Sequence, residues 1–237
     1  MASAGLSRAW LLGILFALAM ILAIVMGNVY VYLAFRSSPS LYSGLVDNSA
    51  HFPMGVVTAI FAPDAAVLGG SQNFADWCLG FTVTLAILFL LFLITSLRVS
   101  HRDIGFRSVF YGLMLFVIPI ASNALTLVTG QSSFGPSTVT FTSMGLVLGF
   151  GILNVGVWLD RNRPGFQNQP FLEYISTIVS LAIVFALVYL PLVFPFSFFN
   201  VASTYSLDWV AYVFCFVFGI IGPFWYYTTR ESSATVS

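Results

Sequence analysis

Ser137 is the side chain of this sequence best placed to act as a nucleophile. It stands in Gly135-Pro136-Ser137-Thr138 at the head of an apolar run, with Phe141 and Gly145 four and eight residues further on. Such a position could support acyl transfer, because the free N–H groups and positive dipole end of a helix start favour a developing oxyanion. A serine hydroxyl is nonetheless a poor nucleophile until an adjacent base takes its proton. The second segment of interest, Ala211-Tyr212-Val213-Phe214-Cys215 with Gly219, offers only a phenol for that task. A phenol titrating near pH 10 is about one part in a thousand ionised at neutral pH, and holding it ionised costs about 4 kcal/mol. The two histidines do not fill the gap: His101 falls in a loop at the opposite end of the spans from Ser137, and His51 is a lone histidine of a long loop, where such a residue is usually just solvated. Lysine is absent, so neither a Ser–His nor a Ser–Lys pair can be assembled inside the spans. Gly-Pro-Ser also has an ordinary reading, since Pro is favoured in the first turn of a helix and Ser at its cap.

The elements that carry these residues must be membrane helices. Of 237 residues 59% are hydrophobic and 7% charged, where a soluble domain has about a quarter charged. Crossing about 30 Å of hydrocarbon takes roughly 20 apolar residues, and six runs suffice: 9–35, 77–97, 108–128, 138–159, 171–194 and 206–227. With both termini cytoplasmic, Arg8, Arg98, Arg102, Arg107, Arg161, Arg163 and Arg230 share the inner side and only Arg36 is outside. That asymmetry is the positive-inside pattern. The expected fold class is thus an all-α, six-span, multi-pass membrane protein forming one domain, with the cell membrane as its expected location. Ala17-Leu18-Ala19 has the small-x-small look of a signal cleavage site, but the apolar run continues to Phe35, so an anchored first helix is expected. A net charge of zero offers no basic stripe for nucleic acid and no polybasic tail for anionic lipid. Nothing in the pattern calls for a metal or a cofactor.

This topology brings the starts of the fourth and sixth spans to the outer side. Ser137 lies within a turn of one start, and Tyr212 lies one turn, roughly 6 Å, past Asp208 at the other, so the two share a depth. Gly145 and Gly149 mark one face of the fourth span, and Cys215 and Gly219 one face of the sixth, a small-xxx-small pattern that lets membrane helices approach closely. Cys78 and Cys215 both sit toward the outer side, which leaves a disulfide open, though packing as small apolar residues accounts for them more simply. The outer loop 36–76 is rich in Ser, Pro, Gly and Asp but contains the apolar stretch Met54 to Leu68. That stretch is expected to lie partly in the membrane interface, or else to pack on its own helices.

These segments together resemble the rhomboid intramembrane serine proteases. Their fourth helix begins Gly-x-Ser-Gly with a further Gly eight residues past the Ser, here Ser137 and Gly145, and their sixth carries Ala-His-x-x-Gly-x-x-x-Gly, here Ala211 through Gly219. The resemblance implies a six-helix rhomboid-like bundle with a lateral first loop, and covers most of the chain. It also shows where the chain departs. Tyr212 stands at the position of the catalytic His, Cys215 at a Gly, and Thr138 at the Gly after the nucleophile. The second-helix stretch His-x-x-x-Asn, which supports the oxyanion, aligns with Trp77 and Phe81 in Asp76-Trp77-Cys78-Leu79-Gly80-Phe81. Losses at the base, at the residue after the nucleophile and at the oxyanion support imply a pseudoprotease that binds or escorts transmembrane helices within the lipid bilayer. Two alternatives are an active intramembrane serine endopeptidase, with Ser137 or a neighbour such as Ser132, Ser133 or Ser143 as nucleophile, and a small transporter or channel subunit. The latter usually places ionisable groups inside its spans, where this chain has Asn28, Asn123 and Asn154, residues that commonly bond across helices.

Overall fold

Backbone N–H and C=O groups find no partner in hydrocarbon, so a spanning segment must satisfy them within itself. The computed structural model, which describes residues 3–38, 54–63, 73–97, 101–128, 135–159, 170–194 and 208–234, answers with helices throughout and no strand among them. These are α1 (Ser3–Ser37), α2 (Met54–Thr58) running into a 3-10 turn (Ala59–Phe61), α3 (Phe74–Thr95), α4 (His101–Val128), α5 (Gly135–Leu159), α6 (Pro170–Val193) and α7 (Asp208–Ala234). Six of them, all but α2, are long and apolar enough to cross a membrane. The chain is therefore a multi-pass helical membrane protein associated with the lipid bilayer. Hydroxyls inside the spans turn back to their own helix: Thr82 to the Cys78 carbonyl at 2.7 Å, Thr84 to Gly80 at 2.8 Å and Thr95 to Phe92 at 2.7 Å. Each hides a polar group that lipid could not satisfy.

Helix limits depart from the hydropathy limits where polar residues extend a helix past the apolar run. The span expected over 108–128 begins at His101, so Arg107 is not a loop residue. It lies in the second turn of α4, 4% exposed, with its guanidinium 5.4 Å from the centre of the Phe150 ring. Asp103 in the first turn suits the positive end of the helix. The span expected over 206–227 instead runs from Asp208 to Ala234, and the loop expected over 36–76 yields its ends to α1 and α3.

α5 is the hub and the most enclosed of the six spans. It touches α3, α4, α6 and α7, its contact with α7 being the most extensive in the molecule. Gly145 and Gly219 make this possible: a Cβ on Gly219 would stand 2.7 Å from the Thr142 carbonyl oxygen and 2.9 Å from the Gly145 Cα. Between α3, α4 and α5 the Tyr111 ring packs against Phe92 at 4.6 Å and Phe89 at 5.5 Å, and its hydroxyl meets that of Ser143 at 2.5 Å. α6 is stitched on by Asn154, whose amide donates to the hydroxyls of Ser176 at 3.0 Å and Ser180 at 2.7 Å. Its other face, with Phe171, Tyr174, Phe185 and Leu192, points away from the bundle, as a lipid-facing surface does. Asn28 departs from the cross-helix expectation, since its amide donates to the Ile24 carbonyl of its own helix at 2.8 Å.

Of the apolar loop stretch, residues 54–63 are described, and they pack on the bundle. Ala59, Ile60 and Ala62 are fully buried, and the Asn123 amide of α4 donates to the Val56 carbonyl at 3.1 Å. Gly135 closes the contact from α5, because any Cβ there would collide with the backbone of Ala59 and Ile60.

Candidate functional site

Ser137 is the third residue of α5, not its cap, because the helix already begins at Gly135. Pro136 fits this first turn since its missing N–H would have no intrahelical acceptor there. The Thr140 hydroxyl returns to the Pro136 carbonyl at 3.1 Å, and that of Thr138 to the Gly135 carbonyl. Ser137 is left half-buried on the wall of a cavity of about 500 Å3 between the starts of α3 and α5.

The α3 wall supplies Asn73, Asp76, Trp77, Gly80 and Phe81, and the α5 wall supplies Pro136, Ser137 and Thr140. Both sets follow helical spacing, so each is one face of its helix. Asn73 caps α3, its side-chain oxygen accepting from the Ala75 N–H at 3.1 Å. Above the cavity a column of rings runs from Tyr32 to Phe74 (centroids 3.8 Å), to Trp77 (6.0 Å) and to Phe81 (5.6 Å, planes 8° apart). Trp77 and Phe81 thus face the same space as Ser137 through rings that offer no proton acceptor, the indole N–H of Trp77 being a donor only and Phe81 having no polar atom. Thr138 is fully buried and does not line the cavity.

Tyr212 lies on the α7 side of α5. Its ring stacks on Phe141, one turn after Ser137, with centroids 5.0 Å apart and planes 25° apart, and both belong to a buried cluster with Ala211, Cys215 and Phe216. Gly145, Gly149, Cys215 and Gly219 lie along the same α5–α7 contact. The Ser122 hydroxyl of α4 reaches the Ala211 carbonyl at 3.3 Å and ties this end of α7 to a third helix. Cys78 and Cys215 are free thiols. His101 opens α4, whose start lies at the far end of the bundle from that of α5, and His51 falls outside the described residues. No group of His, Cys, Asp and Glu suited to a metal occurs among the described residues.

Asn73, Asp76, Gly80, Pro136 and Thr140 complete the cavity and were not singled out by the sequence. The signal was present as helical spacing from Asn73, at three, four, seven and eight residues, but the start of α3 had to be known to within a turn to use it. Chemically, the site pairs a hydroxyl at a helix start with one carboxylate and an aromatic wall, in a recess open at the end of the bundle. Comparison with known protein families, with curated proteins and with solved structures finds no match for this chain.

Proposed function

We propose that this chain is a rhomboid-like membrane protein without proteolytic activity, which binds or escorts the transmembrane helices of client proteins. One observation carries the reading: Ser137 keeps a nucleophile's place at the start of α5, while the position of its base holds a Tyr212 ring packed on Phe141 and the positions of the oxyanion support hold Trp77 and Phe81. A six-helix scaffold with a hydroxyl but no base suits recognition more than catalysis. The arginine distribution supports both termini in the cytoplasm, and a cell-membrane location goes with this reading. No cofactor is required.

The test is cleavage of a generic transmembrane substrate by the purified protein in lipid, with Ser137→Ala and Tyr212→His alongside. Wild type should be inert, and Tyr212→His should gain slight activity that a further Ser137→Ala removes. Cleavage by wild type that Ser137→Ala abolishes would establish an endopeptidase and sink the proposal. Photo-crosslinking from Trp77 and Phe81 positions to co-expressed single-span proteins then separates a helix-binding protein from one that ignores such helices.

A further inference from the structure

We draw no further inference here: the strongest candidate, the cluster of buried polar side chains where α3 ends and α4 begins, which sets Ser96, Arg107 and Asn154 one turn from the packed rings of Phe92, Tyr111 and Phe150, carries nothing because its Asn154 amide and Ser176 hydroxyl are already engaged in joining α3, α5 and α6, and nothing in the structure shows what would meet the Ser96 hydroxyl.

Discussion

Replacing Gly145 by alanine adds one methyl group to a helix contact that has no room for it. Its Cβ would stand 2.9 Å from the Gly219 Cα and closer still to the Phe216 carbonyl oxygen, and both obstacles are backbone. Carbon atoms pack favourably at about 3.5–4.0 Å, so α5 and α7 must part by about 1 Å or bend locally. Overpacking of this kind costs about 1–3 kcal/mol. The matched control is Gly80→Ala, whose methyl meets nothing within 4 Å and which should gain roughly 0.8–1 kcal/mol from helix propensity. The two variants change the same atoms on neighbouring spans, so the propensity gain cancels between them and they should differ by about 1–3 kcal/mol. Reversible unfolding in mixed micelles, followed by circular dichroism with rising sodium dodecyl sulfate, reads that difference. Equal midpoints for the two variants would show that the α5–α7 contact is not the close apposition described, and the argument from glycine spacing would fail with it.

Asn154→Val should cost about 0.6–2 kcal/mol by removing the amide that donates to Ser176 and Ser180. A double-mutant cycle with Ser180→Ala checks it, the second substitution costing little once Asn154 is gone. For topology, single cysteines placed near Ser3 and Ala234 should resist a membrane-impermeant thiol reagent in intact cells, while one at Gly130 should react. The reverse pattern would overturn the orientation read from the arginines.

Much of the architecture was legible because the solvent imposes it. Six apolar runs can only be helices in hydrocarbon, and their middles fall where hydropathy puts them. Their ends are less legible. α4 starts at His101 because a helix can continue through polar residues beyond the lipid, and nothing in the sequence around Arg107 signals that its guanidinium turns inward onto Phe150. Burial of that arginine depends on which ring α5 presents roughly 22 Å of helix after Gly135, a tertiary matter. The loop stretch 54–63 shows the same limit: its apolar character was plain, but interface and bundle are both apolar destinations. The Asn123 bond to Val56 and the contact of Gly135 with Ala59 and Ile60 favour the bundle. At the site, Ser137, Trp77 and Phe81 could be named from motif frames, whereas the cavity they share depends on the relative rotation of α3 and α5, which no single segment encodes.

The enclosure of α5 has a consequence for how the chain is made. This helix is the least apolar of the six spans and the one most covered by the others, since Thr138, Thr142, Ser143 and Asn154 are all turned inward. During synthesis it emerges before α6 and α7, and with α7 goes the partner of its closest contact. Lipid alone is a poor first environment for such a segment, so α3 and α4 are the surface on which it can first shelter. Integration into the bilayer then proceeds as assembly around a late-arriving centre, with the segment that bears Ser137 seated only once α6 and α7 have closed the remaining sides.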